Sequence, residues 1–225
     1  SFVGPRGVAL DDSFHYNQSS GTGLVTSGVA AVDTYSAVAV LPSQPTSQQI
    51  TTAASGQIRL PEATGIPDAV RELATKWAST AGGSSAGALV QAYADQLRLG
   101  YFSHGIDANE TASWAGHNAG RITELLHNTE QMVGDEEQYS VALALLARAA
   151  GIPARVGYGY VLSSEDGQVR GNDVTAWTEV YLQGYGWVVF DPTPPKDRKL
   201  KTLTQEPVSV PRPQVENPPA PPQKP

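Results

Sequence analysis

Two adjacent carboxylates, Glu136 and Glu137, stand in the stretch GDEEQYS (Gly134 to Ser140), at the mouth of the most helix-like segment of the chain, VALALLARAAGIPARVGYGY. A pair of carboxylates in such a position is a candidate for acid and base work, one group giving a proton while the other takes one. Asp135 in front of them can cap the helix, with Gln138 completing a D-x-x-Q capping box, so both glutamates fall in the first turn. Acidic side chains there also stabilise a helix by roughly 0.3 to 1 kcal/mol through its positive end, which gives them a purely structural reason to be present.

Other groups with chemical potential are sparse. The histidines are His15, His104, His117 and His127, and none has the H-x-x-x-H spacing of a metal pair. Asp135, Glu136, Glu137 and Asp191 could gather around a hard cation, but consecutive helical residues diverge and there is no D-x-D-x-D-G loop, so no metal site is expected. The glycine-rich runs SSGTG and AGGSSAG lack the lysine and flanking strand of a phosphate loop. No cofactor is expected. The chain has no cysteine, which removes disulfides, thiolate metal sites and thiol nucleophiles together.

Composition narrows the partners. With 15 Lys+Arg against 22 Asp+Glu the formal charge is −7, and the longest basic run is KDRKLK (Lys196 to Lys201). That argues against nucleic-acid binding, which draws its affinity from phosphate neutralisation. No window approaches the roughly 18 consecutive apolar residues of a membrane span, and no signal peptide opens the chain. The sequence starts at Ser1 and has Met132 as its one methionine, so it is expected to be a piece of a longer protein.

The elements that must position these groups follow from periodicity. Residues 1–57 carry short alternating runs such as VDTYSAVAVL (Val32 to Leu41) and read as a β-rich extension. Helices are predicted over IPDAVRELATKWAST, over SSAGALVQAYADQLRLG with Ser84 or Ser85 as cap, and over NAGRITELLHN after a loop containing WAGH. The helix opened by GDEEQYS is almost all Val, Leu and Ala between its cap and the stop Gly151-Ile152-Pro153, which predicts a buried central helix. The period then changes to two: ARVGYGYVL, a turn-rich SSEDGQ, DVTAWTEVYL, a QGYG turn and WVVFDPT read as three antiparallel strands. From Pro207 on, the tail holds 8 of the 17 prolines and reads as an extended linker.

These segments, in this order, resemble the transglutaminase-like (papain-like) superfamily, most of all the extracytoplasmic domains of bacterial membrane-bound members. The resemblance rests on GIPAR, AW-x-EVY, GW and FDPTP, with IRLPEA, AYADQLRLGYF and GHNAGRITELL upstream, and covers roughly 58–195. It implies an α+β fold with a buried central helix packed on an antiparallel sheet, preceded by a helical lead-in. It also implies three segments: the extension over 1–57, the transglutaminase-like domain over 58–195, and a charged then proline-rich linker over 196–225.

The family's chemistry uses a cysteine at a helix N-terminus, a histidine on the facing strand and an orienting aspartate on the next strand. Carried over position by position, those slots hold Glu136, Thr175 and Asp191, so the resemblance implies that only the third keeps its family residue. On a period-two strand Thr175, Trp177, Glu179 and Tyr181 share one face, and Thr175 is expected to point at the start of the central helix. Glu137, Trp177, Glu179 and His117 are candidates for lining a binding cleft. The function implied is a catalytically inactive binding or scaffolding domain, outside the bacterial membrane and anchored by segments absent from this sequence. Its expected partners are an envelope protein or a peptidoglycan peptide. The alternative is a divergent amide hydrolase or acyltransferase using Glu136 and Asp191, with His117 assisting. The two part on one observable: whether a histidine ring reaches Glu136.

Overall fold

The computed structural model describes residues 1–18, 21–38, 44–81, 83–106, 110–161, 166–198 and 200. The proline-rich tail from Pro207 and the first half of the SSEDGQ turn, Ser163 to Glu165, lie outside them. The chain divides into two compact units, 1–43 and 44–225.

The first unit is small. Strand β1 (Phe2–Val3) is followed by helix α1 (Gly7–Asp12), a hairpin of β2 (Phe14–Asn17) with β3 (Thr22–Val25), and β4 (Thr34–Tyr35), which pairs antiparallel with β1. Arg6 meets Asp33 at 2.8 Å, and Asp33 also accepts from the Ala30 amide at 2.7 Å. The strand predicted over Val32 to Leu41 is confined to Thr34–Tyr35, because its partner β1 offers only two residues to pair with; Ser36 to Val38 carry no strand, and Ala39 to Leu41 fall outside the described residues.

The second unit carries the helices and the larger sheet. Helix α2 (Ser47–Thr52) is followed by α3 (Asp68–Ala78) and α4 (Ala86–Leu97), the latter capped by Ser85, whose hydroxyl accepts from the Ala88 amide at 3.0 Å. Pro67 takes the N-cap position of α3. A two-residue strand β5 (Tyr101–Phe102), helix α5 (Ala119–His127) capped by Asn118, and strand β6 (Val133–Gly134) lead into α6 (Glu136–Ala149). β5 and β6 pair parallel, Phe102 opposite Gly134, which fixes the approach of the chain to the start of α6.

α6 is the buried central helix. Tyr139, Ala142, Leu143, Leu146 and Ala147 are fully enclosed, and α3, α4 and α5 pack around it. It opens with the capping box that the sequence predicts: the Asp135 side chain takes the first-turn amides, and the Gln138 side chain takes the Asp135 amide at 2.9 Å. It closes at Gly151, whose φ of 76° suits a residue without a Cβ; the amides of Gly151 and Ile152 reach back to Arg148 and Ala147.

Three antiparallel strands, β7 (Ala154–Tyr160), β8 (Val174–Leu182) and β9 (Gly186–Phe190), form the sheet behind α6, with a short 3-10 turn at Gly171–Asp173 leading into β8. Ala176, Thr178, Val180 and Leu182 of β8 are buried on the α6 side, so the α+β arrangement expected from the sequence is the one observed. Among the described residues no helix is long and apolar enough to cross a membrane.

Candidate functional site

The first turn of α6 brings the three neighbouring acids into three different environments. Asp135 is the cap: its Oδ1 accepts from the Glu137 amide at 2.9 Å, and its Oδ2 lies 3.4 Å from Nδ1 of His104. Glu137 points towards the WAGH loop. Its Oε1 is 2.6 Å from Nδ1 of His117, and its Oε2 accepts from the Gly116 amide at 3.1 Å and from the Gln138 side chain at 3.0 Å. Burial alone would raise the Glu137 carboxyl, but the His117 bond and charge, the Gly116 amide and the Gln138 amide outweigh it and hold it below the ordinary glutamate value.

Glu136, between them, turns inward. Its side chain is 11% exposed, and its Oε1 meets Nζ of Lys196 at 2.7 Å. The Lys196 ammonium also lies 5.2 Å from the centre of the buried Phe102 ring, and His104 stands edge-on against the same ring at 4.8 Å. Lys196 arrives from beyond the sheet. After β9, Asp191 accepts from the Thr193 amide at 2.9 Å, and a turn closed by Arg198 N–H on Pro195 sends the chain back across β5. There the Arg198 carbonyl accepts from the Phe102 amide at 3.0 Å, the Arg198 guanidinium sits 5.4 Å from the Tyr101 ring, and the Leu200 carbonyl accepts from the Thr111 hydroxyl at 3.3 Å. Residues 193–198 and 200 therefore form a strap whose lysine ends in the slot.

The remaining candidates lie apart from this cluster. Thr175, Trp177, Glu179 and Tyr181 do share a face, as alternation requires, but the face of β8 turned to α6 is the other one, where Thr178 donates to the Ser140 carbonyl at 2.8 Å. The expectation that Thr175 points at the helix start is corrected accordingly. The reason is packing: the small residues of α6 accept Ala176, Thr178 and Val180, while Trp177 needs the open space above Gly157 and Gly159, where a Cβ would strike its ring. Thr175 makes no hydrogen bond to Glu136 or Asp191, and Asp191 is exposed.

Trp177 and Glu179 belong to a second group on that outer face. The Trp177 indole N–H donates to Glu179 at 3.1 Å, Arg155 Nε donates to the other Glu179 oxygen at 2.5 Å, and the Arg155 guanidinium stacks 4.0 Å above Trp187. Of the four cleft candidates, only Glu137 and His117 stand beside Glu136.

No histidine bonds to Glu136, since His104 and His117 are taken by its neighbours. Among the described residues no group of three or more His, Asp or Glu side chains is arranged to hold a metal. A groove of about 380 Å³ lies at the opposite end of α6, lined by Arg71, Thr75, Leu89, Tyr93 and Ala149 among others, remote from the slot.

Sequence reasoning missed Lys196, whose only signal was its place in KDRKLK just after FDPTP. It also missed Arg121. That buried guanidinium donates to the Trp114 carbonyl at 2.7 Å and to the Val133 carbonyl at 2.8 Å, tying the WAGH loop to the strand that feeds α6.

Comparison with known proteins matches residues 74–192 to the family model described as the transglutaminase-like superfamily. A Bacillus subtilis (strain 168) protein, YebA, itself uncharacterised, is 30% identical over 145 residues, covering 60% of this chain and 18% of that protein. Among solved structures, the periplasmic domain of TgpA from Pseudomonas aeruginosa, in a form bound to ethylmercury, is 27% identical over 60% of this chain and 46% of its own, with a TM-score of 0.43. A second structure of that domain gives 26% identity and the same TM-score. The chain thus spans less than half of the solved domain and under a fifth of the Bacillus protein.

Proposed function

This chain belongs to the transglutaminase-like superfamily, and from that premise we propose that it is a catalytically inactive member that binds or scaffolds. The observation that carries the reading is the contact between Glu136 and Lys196. In the family's arrangement the start of this helix presents a nucleophile to a base; here it presents a carboxylate neutralised at 2.7 Å by an ammonium. The chain supplies no thiol, and the slot of the base holds Thr175, whose hydroxyl cannot take a proton from a nucleophile and return it to a leaving group.

The alternative, amide hydrolysis or acyl transfer through Glu136 and Asp191, lacks support from the same geometry. Attack by a carboxylate on an amide would give an anhydride, and it needs an acid to protonate the departing nitrogen. His117 is bonded to Glu137 instead, and Asp191 is turned to the Thr193 amide.

The reading includes an extracytoplasmic position at the bacterial membrane as part of a longer anchored protein, with an envelope protein or a peptidoglycan stem peptide as partner. That part rests on the sequence resemblance. The test is turnover. The unaltered chain, assayed for amidase and amine-transfer activity beside Glu136→Gln, is expected to show no rate above that of the variant. Turnover by the unaltered chain refutes the proposal.

A further inference from the structure

We propose that the edge of the second unit formed by β5, the loops that follow it and the strap is a docking surface for the head-group region of an anionic lipid bilayer. The proposal goes beyond the reading of the α6 site and holds whether or not that site is catalytic.

Two large apolar side chains stand out from this edge: Ile106 is 83% exposed and Trp114 is 72% exposed. They belong to two loops that are held together. Ser103 Oγ donates to the Thr111 carbonyl at 2.6 Å, and Gly105 lies so close to the Ser113 backbone that a Cβ there would strike it. Ile106 and Trp114 each follow directly on that contact, so they project from adjoining points of one loop pair. The backbone beneath the indole is fixed, because the buried Arg121 guanidinium donates to the Trp114 carbonyl at 2.7 Å and to the Ser113 hydroxyl at 3.2 Å. A held loop that presents an indole and an isoleucine to water gains no packing from them, which marks the pair as a contact surface. Tryptophan, with an apolar body and one N–H donor, favours the head-group level of a bilayer.

Charge on the same edge identifies the occupant. β5 has β6 on one side, where the Tyr101 and Ser103 amides bond, and the strap on the other, where the Phe102 amide bonds to the Arg198 carbonyl. The strap carries KDRKLK, four basic residues against the one acid Asp197, in a chain whose formal charge is −7. Arg198 is exposed, with its guanidinium 5.4 Å from the Tyr101 ring, and no carboxylate pairs with it among the described residues. The Leu200 carbonyl accepts from the Thr111 hydroxyl at 3.3 Å, which joins the strap to the loop that bears Trp114. The apolar tips and the basic run are therefore contiguous. An apolar socket on a protein would account for the tips alone. Lipid phosphates account for the basic run as well, since each Lys or Arg near an anionic bilayer strengthens attachment to it.

The experiment mixes the whole 225-residue chain with vesicles of equimolar phosphatidylglycerol and phosphatidylcholine, beside vesicles of phosphatidylcholine alone. It reads co-sedimentation and the quenching of tryptophan emission by brominated phosphatidylcholine in the same vesicles. The chain is expected to bind the anionic vesicles saturably, at least about tenfold more tightly than the neutral ones, and more weakly as sodium chloride is added. Its emission is expected to be quenched there through Trp114, since Trp77 is buried and Trp177 and Trp187 are partly buried. Ile106→Ser with Trp114→Ser is expected to weaken binding about tenfold and to remove the quenching. Arg198→Gln is expected to weaken it about fivefold. Absent binding of the unaltered chain to anionic vesicles overturns the proposal, as do equal binding to neutral vesicles and undiminished binding by the double variant. Self-association without lipid that the double variant loses assigns the surface to a second copy and overturns it too. The quenching is read on the unaltered chain, so it decides the matter even if a variant disturbs folding.

Discussion

The hydroxyl of Thr178 donates to the backbone carbonyl of Ser140 at 2.8 Å, joining the middle of β8 to the second turn of α6. Both residues are fully buried, yet the Ser140 hydroxyl itself has no partner among the described residues. Thr178→Val, which keeps the shape and removes the bond, is expected to lower unfolding stability by about 1 kcal/mol, whereas Ser140→Ala, which removes an unsatisfied buried hydroxyl, is expected to leave it unchanged or raise it by up to about 1 kcal/mol. Urea unfolding midpoints at constant m-value measure both.

Tyr139 carries the other interior link to the site. Its hydroxyl accepts from the Tyr101 amide at 3.1 Å and stands within donating distance of the Met132 carbonyl at 2.9 Å, so it holds β5 and the approach to β6 against the helix. Burial pushes its ionisation far above the ordinary tyrosine value. Tyr139→Phe is expected to cost about 1 to 2 kcal/mol, since it strips bonds from buried backbone groups. In the unaltered protein, ultraviolet titration is expected to show this tyrosine ionising only as the chain unfolds in alkali.

Glu137 gives a pH dependence with a definite sign. Its folded pKa lies below the ordinary value of 4.5, so its contribution to stability is fully present above that value and is lost as pH falls through the folded pKa. The stability difference between the unaltered chain and Glu137→Gln is therefore expected to be constant from neutral pH down to about pH 5 and to shrink below about pH 4.5. Thermal melts of both chains across that range measure it; a difference that grows on acidification contradicts the assignment.

The parts of this molecule that are legible in its sequence are those set by local rules. Asp135 and Gln138 announce the cap of α6, Gly151 announces its end, and the alternation of β8 separates Ala176, Thr178 and Val180 from Trp177 and Glu179. What the alternation could not say is which set faces the helix, because that depends on the room Gly157 and Gly159 leave for the Trp177 ring on the neighbouring strand. The partner of Glu136 was hidden for a similar reason. Lys196 reaches it because the Arg198 carbonyl takes the Phe102 amide, a backbone bond between distant segments that leaves no mark on residue types. A run such as KDRKLK looks the same whether it is solvated or docked.

The slot retains a reactive setting that a thiol would report. Placed at the first position of α6 and beside the Lys196 ammonium, the thiol of Glu136→Cys is expected to titrate below the roughly 8.5 of a free cysteine. Iodoacetamide alkylation rates against pH give the midpoint, which is expected to rise when Lys196→Met is added. An unshifted midpoint with Lys196 present contradicts the geometry of the slot.

The central claim is that the carboxylate of Glu136 is one half of an ion pair and not a nucleophile. Its most direct test is the initial rate at which the unaltered chain releases ammonia from a glutamine peptide and incorporates a primary amine, at neutral pH, beside Glu136→Gln as the reference. The account predicts no rate in the unaltered chain above that of Glu136→Gln. A measurable rate that Glu136→Gln abolishes contradicts it.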